Sequence, residues 1–364
     1  MNHPKEIATL QNRLNEATSG MTQPRTRSII TVQQGTLVRE NTGYVAGIDI
    51  GGTNLRLALA DMTGDIHAKW SSSTAGVRGA AEVMALVADG VEHLLQQVNA
   101  PLGALKAIAA GAPGITDVDA GIVIATSYLM GWRDVPLRAM LEDALNAPAA
   151  VDNDVNLAAI GEGWAGVAKG ARDFVFIAIG TGVGAGIVLN GSPFRGASWA
   201  AGEIGYMLVP GTPDTSWNHG EPGALESIIG GEGIKAQWQN LWSAEKTALP
   251  RELNATEIFD HALTGDTLAQ TILQQSARML TQAIYNMNLV LNCPLFVLGG
   301  GVGVHPALCD ATQKMLEQRN MRGRPQLTRS TLGADAQLMG ALRLALDTAA
   351  SRSALSVDEV ADKK

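Results

Sequence analysis

The sequence predicts an α/β protein of two lobes with a ligand cleft between them. Three observations lead there. The chain has 364 residues, more than one average domain; 46% of them are hydrophobic and 41 are glycine; and glycine-rich bends recur between apolar, strand-like runs.

The first bend carries the most information. In Gly47-Ile-Asp-Ile-Gly-Gly-Thr-Asn-Leu-Arg-Leu-Ala-Leu-Ala-Asp61 a carboxylate and a glycine turn stand between two apolar runs. Asp49 closes the first run. Gly51 and Gly52 lack a Cβ, so the backbone can approach an anion closely, and Thr53 and Asn54 place small polar groups beside it. The same four residues suit an ordinary hairpin loop, so this turn alone leaves both readings open. A second bend of the same kind lies within Phe174-Val-Phe-Ile-Ala-Ile-Gly-Thr-Gly-Val-Gly-Ala-Gly-Ile-Val-Leu-Asn190, with Gly180, Thr181 and Gly182 at its tip. A third cluster, Gly299, Gly300 and Gly301, ends the run from Pro294 and precedes a helical pattern from His305; it would let a base and ribose lie flat. Three such clusters in one order favour a nucleotide site with a duplicated phosphate hairpin.

Charge and composition exclude several classes. A formal net charge of -8 argues against broad nucleic-acid binding, which needs a basic footprint. No apolar run approaches the ~20 residues needed to span a bilayer. Two cysteines, Cys293 and Cys309, make no disulfide framework, and no secretory signal is visible. The expectation is a cytoplasmic enzyme that binds small molecules.

Residues 1–43 read as a polar N-terminal extension with one short helical pattern, Ile7 to Glu16, broken by Thr18-Ser-Gly. Residues 44–156 form the small lobe: the first hairpin, a helix near Ala80 to Val98, a strand from Ala104 to Ala110 and a Gly111-Ala-Pro-Gly114 turn. Residues 157–334 form the large lobe, a helix at about 335–349 packs back on the small one, and 350–364 is a polar tail. Asp154 follows the apolar run Ala149-Ala-Val151 and precedes a helical composition from Asn156, so it sits at a strand-to-helix junction. A helix cap is the plain reading of an Asp there.

With the turns in place, the sequence resembles the ROK family (repressors, open reading frames and sugar kinases) of the actin-like, hexokinase-like ATPase superfamily, from about Tyr44 to Thr348. The resemblance rests on the glycine turns and on Asp152-Asn-Asp-Val-Asn156, Ala201-Gly-Glu-Ile-Gly-Tyr206, Gly223-Ala-Leu-Glu226 and Gly333-Ala-Asp-Ala336. It implies a two-lobed, ribonuclease H-like ATPase fold and phosphorylation of a hexose, glucose or a related aldohexose at the 6-hydroxyl by default, with ATP and Mg2+. It also implies a homodimer. Asn153 would hold sugar hydroxyls, Asp154 would accept the proton of the attacking hydroxyl, and Glu203 and Glu226 would accept hydrogen bonds from the sugar. From the residues alone, a solvated loop residue is the lesser alternative for Glu203, and Glu226 also suits a helix first turn favoured by the dipole. Asp152 has no role beyond bracing the turn in this reading.

Departures from the family pattern bear on metal and substrate. Tyr206 stands where most members have a zinc-binding His, and the loop from Thr212 to Ala224 holds no cysteine. A sulfur-rich zinc site therefore cannot form there, no structural zinc is expected, and His219 reads as a surface residue. Pro213, Trp217 and Pro222 are the candidates to brace the loop instead. Tyr128 and Met130 replace a common Asn and Pro, which removes an amide near the sugar. Some members are repressors, but some forty residues with one helical pattern are too few for a winged helix-turn-helix. A sugar-sensing protein with weak or no turnover is the alternative to a kinase; an acetate-kinase-like or chaperone ATPase leaves Asn153, Asp154, Glu203 and Glu226 unexplained.

Overall fold

The computed structural model describes residues 43–77, 79–126, 129–214 and 221–352, and the backbone alone at 32–33, 36–37 and 353–361. Residues 1–42 and 43–364 are separate compact units. In the first, Val32–Gln33 pairs antiparallel with Thr36–Leu37; the helix expected from Ile7 to Glu16 lies outside the described residues. All that follows concerns the second unit.

Two five-stranded mixed sheets organise this unit, and they share one topology. The first runs in the order 149–153, 105–112, 44–50, 54–61, 66–73; the second in the order 326–329, 295–299, 174–179, 183–189, 192–193. Each starts from an antiparallel hairpin, Tyr44–Ile50 with Asn54–Asp61 and Phe174–Ile179 with Val183–Leu189. In each, two further strands then add in parallel on the side of the hairpin's first strand. The duplication expected from the glycine turns therefore extends to whole sheets. All seven residues of Tyr44–Ile50 are buried, as befits a central strand with both faces covered.

Helices cover both faces of each sheet. Ala80–Gln97 buries Val83, Val87, Val91 and Leu94 at the three- and four-residue spacing of one helical face, against Ile48, Leu57 and Ile108. Ala336–Ala361 lays Leu338, Leu342 and Ala345 against Val45, Ala58 and Ala107 on the other face. It extends beyond the 349 expected from sequence, because the stretch from 350 to 361 holds no Gly or Pro to break it. In the second sheet, Asp154–Ala165 covers one face, with Ala158 and Ala159 among Phe174, Phe176 and Val188. The helices Gly231–Leu241, Ala255–Leu263 and Thr267–Leu291 cover the other, where Trp238, Phe259 and Phe296 are fully buried.

Two of these helices cross almost backbone to backbone. A Cβ on Gly340 would lie 1.8 Å from the Leu157 carbonyl oxygen, and one on Gly161 would lie 2.2 Å from that of Ala336. Glycine costs about 1 kcal/mol in a helix interior relative to alanine, and here the close approach requires it. Gly163 is different: its added Cβ would meet only the Phe174 ring at 3.4 Å. Gly340→Ala should therefore lower the melting temperature by several degrees, whereas Gly163→Ala should leave it unchanged or raise it. Calorimetry of the two variants separates these outcomes.

Candidate active site

Between the two hairpin turns lies a cleft of about 790 Å3. Gly51 and Gly52 line it from the first turn, Gly180, Thr181 and Gly182 from the second, and Gly300 from the third cluster. Asn153, Asp154, Glu203, Tyr206 and Glu226 line it as well. Residues from six stretches of sequence, separated by up to about 250 positions, thus converge on one space.

The junction at its floor is built by Asn153. Strand Ala149–Asn153 ends and helix Asp154–Ala165 begins without a linker. The Asn153 side-chain oxygen accepts hydrogen bonds from Val155 N at 2.8 Å and Asn156 N at 3.0 Å, the geometry of a helix cap. Its amide nitrogen donates to the Gly114 carbonyl at 2.8 Å. The cap is therefore Asn153, a correction to the plain reading of Asp154. Asp154 is the first helical residue, and its Oδ1 accepts from Val155 N at 2.9 Å.

Burial raises the Asp154 pKa to about 7, with Asp49 and then Glu203 pushing the same way and the Val155 N–H opposing them. Burial, helped by Glu226, raises Glu203 to about 6. Glu226 opens the helix Glu226–Ile229, and its Oε2 accepts from Val183 N at 2.7 Å, so it is tied to the second hairpin. Tyr206 closes a single 3-10 turn after Glu203 and donates its hydroxyl to the Glu221 carbonyl at 3.4 Å.

Five of the residues expected at the phosphates, Asp49, Thr53, Asn54, Gly299 and Gly301, are not among those lining the cleft. Asp49 is buried, held by Arg56 Nε at 2.9 Å, and burial raises its pKa against the pull of that guanidinium. Arg56 also donates to the Ala334 carbonyl, which anchors the start of the last helix. Thr53 accepts from the Asn54 amide at 3.0 Å, and its carbonyl accepts from Thr74 N at 3.0 Å; both residues shape the turn. Gly299 makes room for Phe176, whose ring would lie 2.0 Å from an added Cβ, while Gly301 faces open space. Within the third cluster it is Gly300, in the left-handed region at φ 76°, that reaches the cleft.

Sequence reasoning misses much of the wall. Ile115, Ala125 and Thr126 come from the stretch after strand Leu105–Ala112, Glu232 and Ala236 from helix Gly231–Leu241, and Gln337 from the last helix. None stands in a motif of its own; the Gly111–Gly114 bend is the one signal nearby, and its first two residues belong to strand Leu105–Ala112. Among the described residues lining the cleft there is no Lys, Arg or His. Nor do the described residues contain a group of three His, Cys, Asp or Glu placed to hold a metal ion. Cys293 and Cys309 are buried in the core of the second sheet, and burial raises the Cys293 thiol to about 11. Tyr128, Trp217 and His219 lie outside the described residues.

The model of the ROK family matches residues 45–348. The chain belongs to the ROK family. This ROK protein is 32% identical over 266 residues to a glucokinase of Halalkalibacterium halodurans, covering 71% of this chain and 80% of that one. It is 33% identical over 195 residues to an N-acetylmannosamine kinase of Escherichia coli O7:K1, 53% of this chain and 63% of that one. Among solved structures, a ROK glucokinase from Streptomyces griseus in complex with glucose and AMPPNP superimposes with a TM-score of 0.70 at 25% identity, over 83% of this chain and 99% of that one. The fold is the two-lobed sugar-kinase fold of the actin-like, hexokinase-like superfamily.

Asp154 carries a stability consequence. An unfolded aspartate loses its proton near about 3.9, whereas the folded carboxyl keeps it to about 7. Across that window the folded state binds more protons, so stability falls as pH rises. Asp154→Asn should therefore raise the melting temperature at pH 8, where it removes a charge that faces Asp49 and Glu203, and change it little at pH 5. Melting curves at the two pH values test this, and equal shifts at both would contradict it.

Proposed function

We propose that this ROK protein transfers the γ-phosphoryl group of ATP to a hexose hydroxyl, O6 of glucose or a related aldohexose, with Asp154 as general base. The chain is an ATP-dependent sugar kinase. What supports the finer reading is the convergence of Asp154, Glu203 and Glu226 with both glycine turns in one cleft.

In this reading the sugar lies over the Asn153–Asp154 junction. Glu203, Glu226 and Tyr206 bind its hydroxyls, and the Asn153 amide presents the N–H that Gly114 does not take. Asp154 receives the proton of the attacking hydroxyl as the new O–P bond forms, and the bond from the γ-phosphorus to the β–γ bridging oxygen breaks to release ADP. A base with a pKa of about 7 is matched to that transfer at neutral pH. The backbone of Gly51–Gly52 and Gly180–Gly182 holds the phosphates. With carboxylates in the lining and no cationic side chain among its described residues, the cleft suits a nucleotide that brings its own cation. Mg2+ carried in by the nucleotide would draw charge from the γ-phosphoryl oxygens, while Asp49, outside the cleft lining, stays paired with Arg56. No structural zinc enters this reading, which Tyr206 and the two buried thiols support. Cytoplasmic location and a homodimer belong to the same proposal; among the described residues, no helix is long and apolar enough to cross a membrane.

A coupled ADP-release screen over hexoses, amino sugars and N-acetyl sugars should find its best substrate among the unmodified aldohexoses. Asp154→Ala should lose turnover on it by about a hundredfold or more. Preference for an N-acetyl sugar would overturn the substrate, and near-normal turnover of the variant would overturn the base. Gly180 gives a separate test, because an added Cβ there meets no protein atom within 4 Å. Gly180→Val should leave melting temperature and sugar KM unchanged and raise the ATP KM about tenfold or more, since the new methyls project into the space assigned to phosphate.

A further inference from the structure

We infer that Arg195 is a positioning residue, which holds the base-bearing turn and the Glu203 segment in one register through its ion pair with Asp152. The inference rests on the phosphotransfer reading for its effect on turnover, and on geometry for its effect on order.

The Asp152 side chain is fully buried, at 0% exposure, and Arg195 is 21% exposed. Arg195 Nε approaches Asp152 Oδ2 at 3.1 Å and Oδ1 at 3.3 Å, and Nη2 donates to Oδ2 as well. The same carboxylate accepts from Asn153 N at 2.8 Å and from the Asn156 amide at 3.1 Å. Those two donors lie on either side of Asp154, so Asp152 fixes the chain before and after the base. Arg195 is itself part of the loop that leads to Glu203. Its carbonyl accepts from Ala201 N at 3.1 Å, and the next residue, Gly202, has its carbonyl bound by Ala185 N at 2.8 Å and Ile204 N at 2.7 Å. Glu203 stands between these pinned residues. The guanidinium thus joins a strand end of the first sheet to the loop of the second, and its planar fork transmits orientation as well as charge.

Removing one partner of a buried pair leaves a charge stranded, whereas neutralising both is far better tolerated. The experiment therefore uses Arg195→Met, Arg195→Lys and the double variant Arg195→Met/Asp152→Asn. Arg195→Met should lower kcat about thirtyfold and raise the sugar KM severalfold with the ATP KM within about twofold, as a misplaced base and a misplaced acceptor require. The double variant should recover the melting temperature without recovering kcat, and Arg195→Lys, a point charge without the fork, should recover kcat in part. Hydrogen exchange by mass spectrometry should be faster in peptides covering 149–157 and 200–206. A merely structural pair predicts lower melting temperature with wild-type kcat, KM values and exchange, and that result overturns the inference. Should Arg195→Met fail to fold, the double variant decides by the same kinetics and exchange. If the wild-type chain turns over no sugar, the proposed substrate and base fall, while the exchange comparison still judges Arg195.

Discussion

The cleft depends on two helices meeting without side chains between them. Gly340 admits the Leu157 carbonyl, and Gly161 admits that of Ala336, so helices Asp154–Ala165 and Ala336–Ala361 cross at backbone distance. Each helix has its other side on a different sheet: Ala336–Ala361 against the first, Asp154–Ala165 against the second. Because interiors are close-packed, a larger residue at the crossing would displace a whole helix rather than a side chain. Asp154 stands at the first turn of one of those helices, and the crossing thereby sets how far the base lies from both glycine turns.

Electrostatics supply the second constraint. Asp49, Asp154, Glu203 and Glu226 gather acidic groups in a protein already negative overall. Burial raises Asp154 to about 7 and Glu203 to about 6, with Asp49 and Glu203 adding to the first and Glu226 to the second. Arg56 meets this charge at Asp49 and Arg195 meets it at Asp152, both from behind the cleft surface. The cationic side chains therefore hold the scaffold, and the space for ligand is left to carboxylates and backbone.

The fold is legible in sequence wherever chemistry is concentrated in short segments. Gly51-Gly52, Gly180-Thr-Gly182 and Asn153-Asp154 each pair a local turn with a local polar group, and each lines the cleft. Thr53, Asn54, Gly299 and Gly301 belong to the same segments but are not among the lining residues, and the sequence does not say which residues of a tight bend reach the cleft. Residue type cannot choose between Asn153 and Asp154 as the cap, since both suit it; the extended backbone of Asn153 decides. Gln337, Glu232 and Thr126 give no signal, since long-range packing alone brings them to the wall. Arg195 is invisible for the same reason: its partner is 43 residues away.

The duplicated sheets carry an inequality at one matched position. Asp49 stands two residues before Gly51 and pairs across its hairpin with Arg56; Ala178 stands two residues before Gly180 and pairs across its hairpin with Gly184. In the first copy the matched pair is an acid and a base, and in the second it is two of the smallest residues. Val155 fills the vacancy, 3.2 Å from a Cβ built on Gly184, so the helix that bears Asp154 can lie directly on the second sheet. A faithful repeat would have had two acidic turns and no seat for that helix. The divergence of one cross-strand pair leaves the two copies unequal: the first hairpin carries an ion pair where the second seats the helix that bears Asp154.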